Sequence, residues 1–181
     1  MGRPKALLRF RGRTFLDHIL GAIGQSRIGH TVVVVGHHRD AIQAALALPS
    51  VTFNPNYEQG MSTSVHAGLR VLPNGVAGAA LFLVDHPLIE SATIDALVAK
   101  LESGRIVLPV HHGRRGHPVL FAAELFEEIL ALSPDEGLNT VVRREPARII
   151  EVPVDAPGIL LDIDTPDQLS KLLAENDESV W

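Results

Sequence analysis

Residues 79–87 read Ala-Ala-Leu-Phe-Leu-Val-Asp-His-Pro. A run of six apolar residues that ends in a turn signal is typical of a strand buried in a sheet. A second run, Ile-Leu-Leu-Asp-Ile-Asp at residues 159–164, has the same form. Around both runs the apolar residues alternate between strand spacing and helical spacing. The sequence therefore predicts an α/β fold with a mostly parallel sheet that is covered by helices on both faces.

The alternation of the two spacings continues along the whole chain without a linker or an internal repeat. Residues 111–116 hold two glycines and two arginines and are expected to form a polar loop or hairpin tip. The predicted strands lie at residues 31–36, 51–53, 79–84, 106–110, 118–121, 148–152 and 159–163, and the predicted helices at about residues 15–23, 39–48, 62–72, 91–101, 124–132 and 137–143, with a last one opening at Thr165.

Composition and charge narrow the class of protein. The chain has 181 residues, of which 46% are hydrophobic and 20% charged, as in an average globular domain. Its formal net charge of −5 argues against a protein that coats nucleic acid, and no apolar run approaches the roughly 18 residues of a membrane span. The lack of cysteine excludes thiolate chemistry. We expect a single cytoplasmic domain, residues 1–181, with no nucleic-acid or membrane partner.

The strongest candidate site is a pair of aspartates, Asp85 and Asp164, each of which ends an apolar run. Ligands of open α/β sheets bind beyond the carboxyl ends of the strands, so two such carboxylates can converge on one hard cation such as Mg²⁺. Each aspartate can equally well cap the turn that follows it. The spacing alone leaves metal binding and capping both open.

Two other segments have the chemistry of an anion site. Gly2 and Lys5 lie together near the start, where the lysine either meets a phosphate or is simply solvated. Ser62 and Ser64 open a predicted helix, whose free N–H groups and hydroxyls suit an anion or an ordinary N-cap.

A basic pair in the predicted hairpin tip is a third candidate. Arg114 and Arg115 stand between two glycines and could grip a phosphorylated substrate, although most such exposed pairs are solvated. Gly-x-Ser-x-Gly, Walker A and Gly-x-Gly-x-x-Gly sequences are absent from the chain. Hydrolases, P-loop NTPases and ordinary Rossmann dehydrogenases therefore lose support.

Taken together, five segments resemble the MobA-like nucleotidyltransferases over nearly the whole chain, and the Gly-His-Pro segment resembles the molybdenum cofactor cytidylyltransferase branch. In chain order these segments are Gly2-x-Pro4-Lys5-Ala6-Leu7-Leu8, Gly60-Met61-Ser62-x-Ser64, Leu83-Val84-Asp85-His86-Pro87, Gly113-x-x-Gly116-His117-Pro118-Val119-Leu120-Phe121 and Asp162-Ile163-Asp164-Thr165-Pro166. The resemblance implies a three-layer Rossmann-like domain that transfers CMP from CTP to molybdopterin, a phosphorylated pterin, and releases pyrophosphate. It also implies Mg²⁺ as cofactor and allows a molybdoenzyme as partner.

The resemblance also implies roles for individual residues. Asp85 and Asp164 would hold Mg²⁺, and Lys5 would neutralise the phosphates of the nucleotide. The nucleotide-binding set would be Gly2, Lys5, Ser62, Ser64 and Asp85, and the acceptor would face Arg114, Arg115 and His117. A structural hydrogen bond ahead of Pro118 is the alternative role for His117. Because the attacking phosphate is already ionised, such a reaction needs positioning and charge neutralisation rather than a general base.

The start of the chain departs from the family pattern. The family begins with a buried strand and a glycine-rich loop of the type Leu-Ala-Ala-Gly-x-Ser-x-Arg-Met-Gly, and this sequence starts at the last two of those residues. We therefore expect the first family strand and most of the loop to be missing. The alternatives are a catalytically impaired nucleotide- or pterin-binding accessory protein, a guanylyltransferase and a sugar-phosphate nucleotidyltransferase.

Overall fold

The computed structural model describes residues 4–177, except for the side chains of residues 166 and 175–177. Its α-helices are α1 (Phe15–Gly24), α2 (Arg39–Ala45), α3 (Met61–Leu69), α4 (Ser91–Val98), α5 (Phe126–Leu130), α6 (Asn139–Arg144) and α7 (Pro166–Asp177). Its strands are β1 (Arg9–Phe10), β2 (Arg13–Thr14), β3 (Val33–Val35), β4 (Val51–Phe53), β5 (Gly78–Leu81), β6 (Ile106–His111), β7 (Arg114–Arg115), β8 (Val119–Ala122) and β9 (Ile149–Pro153). No helix in this range is long and apolar enough to cross a membrane.

A five-stranded sheet forms the centre of the fold, and its strand β6 pairs with three of the other four strands. Strand β6 pairs antiparallel with β8, parallel with β9 and antiparallel with the short strand β7. Strand β8 continues the sheet to β5, again antiparallel. The predicted α/β class is confirmed, and the central sheet is mixed because the chain reverses at the β6–β7 hairpin before it returns as β8.

Alternation along β6 and β8 gives the sheet two buried faces. Ile106 and Phe121 pack in one cluster with Leu125 and Ile129, at and just before α5, and with Val141 of α6. Their neighbours in the two strands turn to the other face, because successive side chains of a strand point in opposite directions. There Val107 and Leu120 pack with Leu97 of α4. Helices thus cover both faces, which is the predicted three-layer arrangement.

A second, parallel pair of strands, β3 and β4, leaves an apolar groove beside the main sheet. Among the described residues β3 pairs only with β4 and β5 pairs only with β8, so one edge of each strand has no partner. The groove has a volume of about 720 Å³, and residues 33–35 and 79–84 line it. Residues 82–84 were also predicted as strand, but they follow the last paired residue of β5, Leu81. They have no pairing partner in the described part of the chain, so they are not assigned to a strand. Apolar walls and unpaired edges are what one further strand would need.

The predicted strand at residues 159–163 is wrong. The chain forms a 3₁₀ turn at Pro157–Leu160 and then runs without regular secondary structure to Asp164. Gly158 lies so close to another loop that an added Cβ would stand 2.3 Å from the carbonyl oxygen of Leu88. The apolar residues of this segment are nevertheless buried, since Ile159 and Ile163 are only 1% and 0% exposed. Burial produced the strand-like pattern, and the proline and glycine at its start prevented a ladder.

Candidate active site

Lys5, Asp85 and Asp164 meet at one point, although they come from three distant parts of the sequence. The Lys5 ammonium lies 3.5 Å from Oδ2 of Asp85 and donates a hydrogen bond to Oδ1 of Asp164. Asp164 is the most open of the three, with a side chain that is 55% exposed, against 24% for Asp85 and 30% for Lys5. The three sequence-predicted catalytic residues therefore form one cluster that is open to solvent on the Asp164 side.

Backbone hydrogen bonds hold the two aspartates in place. Asp85 follows the apolar run that begins in β5, and its carbonyl oxygen accepts a 2.9 Å hydrogen bond from the N–H of Ile163. This bond ties the Asp85 loop to the segment that carries Asp164. At the start of α7, Gln168 accepts hydrogen bonds from the backbone N–H groups of Asp164 and Thr165, both at 2.8 Å. The Thr165 hydroxyl in turn accepts a 3.2 Å hydrogen bond from the backbone N–H of Gln168, so the two residues form a capping box that fixes the turn from which the Asp164 side chain projects.

The lysine is anchored by the start of the described chain. It opens a 3₁₀ turn, Lys5–Leu7, in which Ala6 is buried. Ala6 packs with Val35 at the end of β3 and with Leu16 of α1. Burial lowers the pKa of Lys5, but the hydrogen bond to Asp164 and the negative charges of Asp85 and Asp164 together raise it by more. The pKa of Lys5 is therefore raised above its usual 10.5. The ammonium therefore stays charged at neutral pH.

The donor set fits a hard divalent cation that also binds phosphate. Oδ1 of Asp85 is buried and has no hydrogen-bond partner, which leaves one carboxylate oxygen available to a ligand. Within residues 4–177 no group of three His, Asp or Glu side chains could hold a metal alone. Mg²⁺ is commonly bound through one or two carboxylates plus substrate phosphates and water. Asp85 and Asp164 are the residues that could hold such an ion.

Two histidine rings lie beside this cluster. His117, which precedes the cis-linked Pro118, has its ring centroid 4.8 Å from that of His86, and the His86 Nε2 lies 3.9 Å from Oδ1 of Asp85. Burial lowers the pKa values of both histidines below 6.5, against the opposing charge of Asp85. His117 is also held by its backbone N–H, which donates 3.0 Å to the carbonyl of Ile159. The ring of His117 thus lies in the same cluster as His86 and Asp85.

The two arginines of the hairpin tip have different surroundings. Strands β6 and β7 form a tight hairpin whose two turn residues, His112 and Gly113, have φ angles of 48° and 75°. Both arginines are exposed, but the guanidinium of Arg115 contacts the Glu151 carboxylate at 2.6 and 2.7 Å. Arg115 would have to release Glu151 before it could grip a phosphate, whereas Arg114 forms no ion pair with any residue that the structure describes.

The two serines of the α3 start are also unequal. Ser62 is fully buried, and its hydroxyl lies within hydrogen-bond reach of the backbone carbonyls of Ser133 and Pro134. These contacts favour a structural role for Ser62 rather than nucleotide binding. The Ser64 hydroxyl accepts a 2.9 Å hydrogen bond from the buried Asn54 amide and keeps its own proton for another acceptor. Gly2, the remaining predicted nucleotide-binding residue, lies outside the described residues.

Sequence reasoning passed over His86. It lies between a strand-like run and a proline, where a histidine is an ordinary turn residue, but it is only 7% exposed. The available signal was its position directly after a candidate metal ligand, in a segment with no other polar neighbour until Glu90.

The sequence is similar to those of known proteins over most of its length. MobA-like NTP transferase domains match residues 1–150 of the chain. A nicotine blue oxidoreductase from Paenarthrobacter nicotinovorans is 28% identical over 96% of this chain and 90% of its own length. A molybdenum cofactor cytidylyltransferase from Escherichia coli K12 is 28% identical over 92% of this chain and 85% of its own.

Solved structures support the same assignment. Rv0371c from Mycobacterium tuberculosis H37Rv superposes with a TM-score of 0.83 at 29% identity, over 96% of this chain and 90% of that one. A second structure of Rv0371c, a complex with manganese, has a TM-score of 0.82 at 28% identity, over 96% and 93% of the two chains. A domain match over most of the chain and a shared fold along nearly its whole length identify the protein as a member of the MobA-like NTP transferase family, which are nucleotidyltransferases.

Proposed function

We propose that this protein transfers CMP from CTP to molybdopterin with release of pyrophosphate. The convergence of Lys5, Asp85 and Asp164 carries the proposal, because it unites a phosphate-neutralising cation with two ligands for a divalent ion. The relative named molybdenum cofactor cytidylyltransferase supports the choice of nucleotide and acceptor. The proposal treats residues 1–181 as one domain and places it in the cytoplasm.

The reaction makes modest chemical demands on the protein. An oxygen of the acceptor phosphate bonds to the α-phosphorus of CTP while the bond from that phosphorus to the bridging oxygen breaks, and pyrophosphate leaves with the electron pair. The nucleophile is already ionised, so no side chain has to remove a proton. A Mg²⁺ ion held by Asp85 and Asp164 would neutralise phosphate charge and polarise the phosphoryl group.

The chain's own residues bind and orient the two substrates. Lys5 is charged at neutral pH and can contact the phosphates of CTP while it remains close to both aspartates. Arg114 in β7 and His117, two residues after this strand, would face the acceptor phosphate. Ser64, at the start of α3, can donate its hydroxyl to the nucleotide. Ser62 and Arg115 keep their protein partners in this proposal.

An oxidoreductase is the competing candidate, because one relative over 96% of the chain is named nicotine blue oxidoreductase. The groups that surround Lys5 are carboxylates and imidazoles, which suit cations and phosphates rather than hydride transfer. An accessory protein that binds nucleotide or pterin without turnover is the other alternative.

The test compares the four nucleoside triphosphates in a pyrophosphate-release assay with Mg²⁺ and molybdopterin. We expect release with CTP, less with GTP, and none without either the metal or the acceptor. The Lys5→Met variant should lose the activity, and Lys100→Met, which makes the same substitution at an exposed lysine, is the matched surface control. A clear GTP preference would move the protein to the guanylyltransferases. Binding of CTP without release would support the accessory role.

A further inference from the structure

The loop that carries Asp85 also carries a buried histidine for which the proposed reaction has no use. His86 is 7% exposed, and the next residue, Pro87, is among the largest fully buried side chains. The backbone N–H of His86 donates 3.2 Å to the carbonyl of Leu83, which closes a tight turn at the end of the apolar run. This turn directs the imidazole inward rather than toward solvent.

The His86 ring lies between two residues of the proposed site. On one side its Nε2 is 3.9 Å from Oδ1 of Asp85, which is beyond hydrogen-bond distance and makes the contact an electrostatic one. On the other side its centroid is 4.8 Å from that of His117, with the ring planes tilted by 47°. The ring therefore occupies the space between a candidate metal ligand and a candidate acceptor-binding residue.

The unpaired atoms of this cluster argue against a purely structural role. In the described part of the chain, the buried side-chain atoms that lack a hydrogen-bond partner are Asp85 Oδ1, His86 Nδ1 and His117 Nδ1. A buried polar side chain that only supports a fold is normally hydrogen-bonded by the protein. Here the unsatisfied atoms gather on three neighbouring side chains at the proposed site, where a bound ion, water or substrate group could satisfy them.

The backbone around the rings leaves little room for adjustment. An added Cβ at Gly116, directly before His117, would lie 2.4 Å from the carbonyl oxygen of Ile159. The segment after Ile159 is bonded in turn to the carbonyl of Asp85 through Ile163. The two loops are thus held against the same segment. Because their backbones are fixed, the relative orientation of the Asp85 and His117 side chains depends on the side chain that fills the space between them.

We infer that His86 is a positioning residue that orients the Asp85 carboxylate for a divalent ion and holds the His117 ring beside it. The inference rests on the proposed function, since it takes Asp85 as a metal ligand. Groups that orient metal ligands typically contribute about 10- to 100-fold to metal affinity or activity. The side that faces Asp85 is Nε2, so a substitute must place a nitrogen donor at that position. Glutamine places its amide near Nε2, asparagine places its amide near Nδ1, and phenylalanine keeps only the ring.

The test measures Mn²⁺ affinity by electron paramagnetic resonance in the presence of CTP. We expect His86→Phe and His86→Asn to weaken Mn²⁺ binding by about 10- to 100-fold, whereas His86→Gln stays near the wild type. His38→Phe, at an exposed histidine, is the matched control and should change nothing. In turnover assays the KM for the metal should rise while kcat at saturating metal recovers, a split that general damage to the fold would not produce.

Two results would overturn the inference. One is equal Mn²⁺ affinity in wild type and all His86 variants, and the other is a loss in His86→Gln as large as in His86→Phe. Melting temperatures accompany each titration, and if a variant does not fold, the comparison of glutamine with asparagine still decides. If the wild type binds Mn²⁺ with CTP but transfers no CMP, the proposed function fails, and the pattern among the His86 variants still tests the role of this residue.

Discussion

Replacing Asp85 with asparagine removes one negative charge from the cluster and keeps the shape of the side chain. In the wild type, two carboxylates face the single ammonium of Lys5, so the cluster has a net charge of −1 that can attract a divalent ion. In Asp85→Asn, Lys5 and Asp164 neutralise each other, and the amide is a poor ligand for Mg²⁺. The substitution therefore removes both the net charge and one of two ligands.

The expected losses in activity and in stability differ widely in size. A preorganised electrostatic contact at a reacting centre is typically worth about 100- to 1,000-fold in kcat, or about 3–4 kcal/mol. The substitution also removes the Lys5–Asp85 ion pair from the folded state. This ion pair is a 3.5 Å contact between partly exposed groups and contributes about 0–1 kcal/mol to the stability. Asp85→Asn should thus release pyrophosphate at least about 100-fold more slowly while its melting temperature stays close to that of the wild type.

The assay is Mg²⁺-dependent pyrophosphate release from CTP and molybdopterin, with Asp40→Asn as the control that removes the same charge elsewhere. Both variants should match the wild type in thermal unfolding. Full activity in Asp85→Asn would show that Asp85 only caps a turn, and an equal loss in Asp40→Asn would show that the effect comes from net charge rather than from the site.

Three further predictions concern the frame around the site. Gly116→Ala should destabilise the fold and impair turnover, because the added Cβ would lie 2.4 Å from the carbonyl oxygen of Ile159. Gly137→Ala, whose Cβ meets no atom within 4 Å, should leave stability and turnover unchanged. Equal melting temperatures of the two variants would refute the prediction. Because the folded-state pKa values of His86 and His117 are lowered, the unfolded chain binds more protons below about pH 6.5, so stability should fall as the pH drops from about 7.5 to about 5.5. Substituting both histidines with glutamine should reduce that loss, and an unchanged pH dependence would contradict it. We expect the groove between β3 and β5 to accept an apolar strand of the family type, fused before Met1 together with the glycine-rich loop. This addition should raise the melting temperature and tighten CTP binding. If neither the melting temperature nor the CTP affinity rises, the groove does not accept a strand.

The sequence was most informative where a polar residue directly follows a buried apolar run. Local patterns made Asp85 and Lys5 candidates, because Asp85 ends an apolar run and Lys5 lies near a glycine, but only the family resemblance suggested a role for each. Asp164 was predicted to project from the end of a strand, and it lies beside Lys5 and Asp85 although residues 159–163 form no strand, because this buried segment is hydrogen-bonded to the Asp85 loop through Ile163. Burial of an apolar run can therefore position the polar residue at its end even where no strand forms.

Three other features, which depend on contacts between distant segments, were not predicted. Ser62 lost its expected exposure because the carbonyls of Ser133 and Pro134 lie against it, more than 70 positions away in the chain. Arg115 is engaged by Glu151 from β9, a strand whose pairing with β6 no local pattern reveals. His86 went unnoticed for the same reason, since its neighbour His117 comes from another loop.

The most direct test of the account follows the α-phosphorus of CTP itself. The protein is incubated with Mg²⁺, molybdopterin and CTP that is labelled with ³²P at the α-position, and the products are separated. The account predicts that the label appears in a cytidylylated pterin, that an equal amount of unlabelled pyrophosphate is formed, and that both products disappear in Asp85→Asn. Label that remains in CTP, or that is released only as free CMP, would contradict it.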